Sequence, residues 1–177
     1  MIEEQPTMES EKSQDGATAT NDTLKCLYAN ESGDALVFKT INEDRFIFDH
    51  SANQWAVWRG HYWQDDVRNE ALDEGVEAVV YVYEKEAMRL AWCATKAQKS
   101  GNADEAKGFE SLRKMVMGRI KSLNAVQRRR NVLTLAAAGA GLVGNEWDAL
   151  PMVLACPNGV VDLQTGDLRP GRPDDHL

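Results

Sequence analysis

RFIFDHSANQWAVWRGHYWQDD, residues 45–66, is made of aromatic and β-branched residues split by the turn-forming HSAN and RG. Short apolar runs between turn signals read as strands. The stretch therefore predicts three antiparallel strands, at about Arg45–Asp49, Gln54–Trp58 and His61–Gln64. Trp55 and Trp58 fall on the middle strand and Trp63 on the last; large aromatics give a small sheet most of its stability. Directly after Asp66 the period changes. Leu72, Val76, Val79, Val80, Tyr83, Ala87, Leu90 and Ala94 recur at spacings of three and four, which predicts a helix from Asp66 to about Lys99. Asp65 or Asp66 can cap its start.

Working outward from this switch, KSGNAD (residues 99–104) breaks the helical pattern, and Asn102 or Asp104 can cap the next helix. That helix carries Phe109, Leu112, Val116, Ile120 and Leu123 on one stripe. A third covers about Ala125–Ala138 with Val126, Leu133 and Ala137 inward, before AGAGLVGNEWDALP unwinds it. At the end of the chain, MVLAC, VVDL and LRP read as strands joined by PNG and QTGD turns. Asn158-Gly159 is a hairpin signal because both residues tolerate positive φ, and Pro170 suits an edge that must stop pairing. Upstream, DALVFKTI (Asp34–Ile41) predicts a short helix with Leu36 and Phe38 available for burial. Residues 1–23 are rich in Glu, Ser, Thr and Gln and are expected to be a disordered acidic tail. The expected fold is α+β: a helical bundle flanked by two small antiparallel sheets, one domain over residues 24–177.

The net charge of −8 argues against a protein that coats nucleic acid uniformly. The total hides an asymmetry. Residues 1–25 hold six acids against two lysines, whereas residues 107–130 hold eight Lys/Arg against one Glu. Lys107, Lys114 and Lys121 are seven apart and form one stripe, well around from Phe109, Leu112 and Val116, and Arg128, Arg129 and Arg130 follow. Such a zone suits phosphate contacts without base readout, or is a solvated helix face. Tyr81, Met88 and Trp92 lie nearly opposite the inward stripe of the long helix, so that helix is either sandwiched within the chain or meets a partner.

Chemistry is sparse. There is no GxxxxGK[ST], no GxGxxG opening a helix, no GxSxG and no HExxH. Cys26, Cys93 and Cys156 form no CxxC pair, which suggests neither a zinc site nor a disulfide framework. His61 with Asp65 and Asp66 reads as a hairpin histidine and a helix cap rather than a metal site. Asp162 and Asp167 flank a turn, where aspartate commonly satisfies backbone N–H groups. No catalytic or metal-binding residue is assigned, and no cofactor is expected in this chain. The N-terminus lacks the apolar core of a signal peptide, and no apolar run approaches membrane-spanning length. These features point to the cytoplasm, with no membrane partner.

Two motifs carry a resemblance. Trp55, Trp58, Gly60, Trp63 and Asp66 form W-x-x-W-x-G-x-x-W-x-x-D. Asn158, Gly159, Val160, Asp162, Leu163, Thr165, Gly166, Leu168 and Pro170 form N-G-V-x-D-L-x-T-G-x-L-x-P. Over roughly residues 30–177 the chain resembles the N-terminal accessory domain of phage and plasmid primase–helicases, a family that includes the poxvirus enzyme. The resemblance implies a following superfamily 3 AAA+ helicase that uses ATP and Mg, forms a hexamer and unwinds DNA. It implies for this chain a non-catalytic role in the cytoplasm of a bacterial host, assisting ring assembly and DNA guidance. Lys107, Lys114, Lys121 and Arg128–Arg130 would then contact DNA weakly and without sequence preference. Tyr81, Met88 and Trp92 would face another subunit or the motor. The alternative is a free-standing or remnant prophage protein that binds and modulates a replicative helicase.

Overall fold

The computed structural model describes residues 22–138 and 141–177. The acidic tail expected over residues 1–23 lies outside the described residues except for Asp22 and Thr23, which are helical. Helix α1 spans residues 22–28 and α2 spans Asn30–Asn42. The corner between them turns on Asn30, whose φ of 57° suits a residue tolerant of the left-handed region. Strands β1 (Phe46–Asp49), β2 (Gln54–Trp58) and β3 (Trp63–Asp65) form the first antiparallel sheet, in the order β1-β2-β3. Helices α3 (Val76–Lys99), α4 (Ala103–Leu123) and α5 (Val126–Ala137) follow. Strands β4 (Val153–Cys156), β5 (Gly159–Asp162) and β6 (Leu168–Arg169) form the second sheet, also antiparallel. The α+β plan is thus realised, with helices α3 to α5 between the two small sheets in chain order.

The core lies where α2, α3, α4 and α5 meet. Phe38, Val79, Tyr83, Leu90, Val116 and Val132 are all essentially inaccessible. Phe38 also stacks on Phe46 and meets Trp55 edge-on at 5.4 Å, which ties the first sheet to the bundle. After α5 the chain returns to the edge of that sheet. Leu142 exchanges backbone hydrogen bonds with Phe48 and His50, and the Trp147 indole donates to Asp49 at 2.8 Å.

Several local expectations change. The long helix does not start at Asp66: a turn and a π-helical segment at Ala71–Gly75 precede α3. Asp66 still acts as the cap, since its carboxylate accepts from the N–H groups of Glu70 and Ala71. His61 sits in the turn before β3 rather than on the strand. Asn102 caps α4 as expected, accepting from the Glu105 N–H. Leu36 is 52% exposed, because α2 turns only its Phe38 side to the core. Val126 is 56% exposed, not inward; Arg129 takes the inward place in the first turn of α5. In the β4–β5 hairpin the two loop residues are Pro157 and Asn158, with Cys156 paired to Gly159. Asn158 does not have positive φ. Gly159 does, at 152°, and a Cβ there would lie 2.6 Å from the Arg169 carbonyl oxygen, so β6 can approach only a glycine.

Candidate nucleic-acid and partner surfaces

The positive zone of the sequence splits in two. Arg128 faces inward from α5 and joins a centre built on Asp34 of α2, whose side chain is 0% exposed. One carboxylate oxygen accepts from the Tyr83 hydroxyl at 2.8 Å and from Arg119 Nη1 at 2.6 Å. The other accepts from Arg128 Nε at 3.2 Å and Nη2 at 2.7 Å. Arg119 also donates to the carbonyls of Leu27 and Asn30, so the carboxyl end of α1 is drawn into the same centre. Four helices, α2 to α5, therefore meet at one carboxylate, and α1 is tied to it through Arg119. Burial, and then the Asp34 charge, push the Tyr83 phenol well above its ordinary value, so it stays a donor.

Arg129 is also committed within the chain. Its guanidinium donates to the Leu123 carbonyl at 2.8 Å and to Glu77 at 2.6 Å, and it reaches Asp73. Lys107, Lys114, Lys121 and Arg130 are exposed. Lys107 meets only the exposed Asp104, at 3.6 Å. Among the described residues, no ion pair is recorded for Lys114, Lys121 or Arg130. At about 100° per residue, the three lysines stay within roughly 40° of one line, on the side of α4 away from Val116 and Leu123. Arg130 rims a groove of about 600 Å³ with Phe48, Trp55, Asn69, Leu133 and Thr134.

The outer face of α3 is apolar and open. Tyr81, Met88 and Trp92 are 55%, 67% and 63% exposed. Packing among the described residues does not bury them. Lys85 Nζ sits 4.3 Å from the centre of the Tyr81 ring, and Lys96 Nζ sits 5.1 Å from that of Trp92.

The first sequence motif meets the segment that follows the second. Trp63 is buried, donates its indole N–H to the Pro173 carbonyl at 2.9 Å, and donates its backbone N–H to the Leu177 backbone oxygen at 2.6 Å. Gly171 packs so closely that a Cβ would lie 2.5 Å from the His61 Cα. Asp162 accepts from the N–H groups of Gln164 and Thr165, so it organises a turn. Asp66 spends both carboxylate oxygens on the helix start. Among the described residues no cluster of three or more His, Cys, Asp or Glu could hold a metal ion, and no helix is long and apolar enough to cross a membrane.

Sequence reasoning missed Asp34, Tyr83 and Arg119 as a unit. One signal was available: consecutive Arg128, Arg129 and Arg130 fan over about 200° of a helix, so a packed helix cannot expose all three.

A further ion pair ties the turn at Pro173–Asp175 to β6. Arg169 grips Asp175 through two 2.7 Å hydrogen bonds, and the Arg172 N–H adds another at 2.9 Å. Chiefly through Arg169, the Asp175 carboxyl is held below the ordinary carboxylate range. A carboxyl lowered in the folded state stabilises fully above its unfolded value, about 3.9, and loses this as pH falls through the folded value. Tryptophan fluorescence is therefore expected to hold steady from neutral pH to about 4 and to change below it. Asp175→Asn should remove the part of that transition due to this clasp. An identical acid transition in the variant would show that the ion pair does not hold the segment.

The model of one protein family, described as D5 N terminal like, matches residues 35–177. No curated protein matches the chain.

Proposed function

The chain belongs to the D5 N-terminal-like family, the N-terminal domain of phage and plasmid primase–helicases, and on that premise we propose that it helps assemble the helicase ring and guide DNA to the motor. The family domain is a non-catalytic region of those enzymes. ATP and Mg would serve the motor, not this chain, and the setting would be a bacterial cytoplasm.

One observation carries the DNA part of this reading. In an acidic chain, α4 presents Lys107, Lys114 and Lys121 along its outer side, and Arg130 adds a fourth exposed cation. Arg128 and Arg129, whose guanidinium groups are engaged inside the chain, are left out of it. Cations in a line can neutralise phosphates, and nothing beside them reads base edges. Binding should be weak, sequence-independent and steeply salt-dependent. Changing Lys107, Lys114 and Lys121 together to glutamine should reduce the slope of log affinity against log salt by about 2 for a single strand, at about 0.7 per lost contact. Fluorescence anisotropy of a labelled oligonucleotide at several salt concentrations measures this. An unchanged slope would reduce the stripe to a solvated face.

A second reading, an interaction protein that modulates a replicative helicase, is favoured by the open apolar face of α3. A pull-down against a replicative helicase, compared between the parent and Trp92→Glu, separates it from the first.

A further inference from the structure

We propose that the outer face of α3 is a docking surface for a second copy of this chain, which lies antiparallel across it about a two-fold axis near Met88. The proposal does not depend on DNA binding, so it and the salt titration can fail separately.

The argument starts from spacing. Taking Met88 as the reference at about 100° per residue, Glu77, Tyr81, Glu84, Trp92, Thr95 and Lys99 all fall within roughly 40° of it. They form one straight stripe about 33 Å long at 1.5 Å per residue. Apolar side chains occupy its centre, and Met88 and Trp92 are among the most exposed large apolar residues of the protein. Met is suited to such a place because its flexible side chain adapts to a facing surface.

Charge decides the occupant. At the amino-terminal end of the stripe Asp73, Glu74, Glu77 and Glu84 surround Tyr81 in a shallow hollow of about 500 Å³. Arg129 pairs with Asp73 and Glu77, Arg45 with Glu74, and Lys85 lies over the Tyr81 ring, so four acids face three cations and this end stays mildly acidic. The carboxyl-terminal end carries Lys96 and Lys99, both exposed. A nucleic acid would be repelled along half of this surface, and a uniformly basic or acidic protein would match only one end. A second α3 running the opposite way matches both. With Met88 facing its own copy, Glu77 lies opposite Lys99 of the second chain, and Glu84 lies opposite its Trp92. Each contact occurs twice, as a two-fold interface requires. Arg129 leaves Glu77 accessible, its side chain 61% exposed.

Size sets the strength. A single helix pair of this length covers about 300–400 Å² per partner, below the roughly 800 Å² per partner of standard stable interfaces. Association should therefore be weak and should appear only at high protein concentration.

Sedimentation equilibrium of the full chain at about 10 to 500 μM should report a monomer–dimer equilibrium. Met88→Glu should return it to monomer while circular dichroism stays unchanged. Geometry is tested by oxidation in a background where Cys26, Cys93 and Cys156 are alanine. Met88→Cys should cross-link to itself readily. Lys99→Cys alone should not, because the two copies of that residue would lie about 33 Å apart along the axis. A mixture of Glu77→Cys and Lys99→Cys chains should cross-link to each other. Four outcomes would overturn the proposal. These are a monomer throughout the concentration range, an unaffected dimer in Met88→Glu, self-linking at Lys99→Cys, which marks a parallel pair, and binding of an oligonucleotide that quenches Trp92 in a chain that stays monomeric.

Discussion

Replacing Asp34 with alanine is expected to lower the unfolding free energy by about 3–5 kcal/mol. The carboxylate is buried and takes hydrogen bonds from Tyr83, Arg119 and Arg128. Its removal leaves two guanidinium groups in the bundle, with side chains only 12% and 16% exposed and their main anion gone. A domain of this size has roughly 5–15 kcal/mol in total, so the variant should sit close to unfolding. The size of the loss reflects uncompensated charge rather than the net worth of the ion pairs. That distinction has its own control. A triple variant, Asp34→Leu with Arg119→Met and Arg128→Met, removes the charges together and should recover much of the loss. Tyr83→Phe, which removes only one donor, should cost about 1–2 kcal/mol. Urea unfolding followed by circular dichroism ranks the four proteins. If Asp34→Ala unfolds within about 1 kcal/mol of the parent, the centre does not hold the helices.

Trp63→Ala should cost a comparable amount, about 3–5 kcal/mol. The ring is 9% exposed, lies 5.3 Å from Trp58, and donates to the Pro173 carbonyl. Its loss opens a cavity and leaves that carbonyl without the indole donor. At about 2–4 °C per kcal/mol for a chain of this length, the melting temperature should fall by roughly 10 °C. Trp63→Phe keeps most of the ring and loses the N–H, so it should cost about 1–2 kcal/mol. Differential scanning calorimetry distinguishes the two. Equal melting of Trp63→Ala and the parent would mean that the first motif and residues 173–177 touch without supporting each other.

The sheets and long helices were legible because burial writes itself as a period. Gln54–Trp58 was placed residue for residue, and the stripe from Val76 to Ala94 is the buried side of α3. Periodicity counts apolar residues only, and this explains what was missed. Asp34 opens DALVFKTI as a charged residue at the expected start of the helix, while the structure starts α2 at Asn30 and buries Asp34. Arg119 lies beside the apolar stripe of α4, and Arg128 reads as one member of a charged run. Their partners are 85 and 94 residues away in sequence, and no local pattern encodes a pairing at that distance. Both motifs were visible as motifs, but the docking of residues 171–177 on the first, through Gly171 on His61 and Pro173 on Trp63, is a tertiary fact. The lysine stripe needed only helix geometry, because all three lysines are exposed among the described residues.

The clasp at Trp63 also has a mechanical side. The bundle is fastened through a shared core and a shared charge, so a load applied to one helix is spread over all of them. The last strands and the turn at Pro173–Asp175 are fastened to the body by hydrogen bonds gathered at Trp63 and by the Asp148 N–H on the His176 carbonyl. Bonds in so small an area bear strain one after another rather than together. Tension along the chain toward residue 177 would therefore peel this segment from the first sheet while the helices kept their packing. Under such tension the segment would release before the bundle does, and because only hydrogen bonds and packing are lost, it could seat again once the tension is gone.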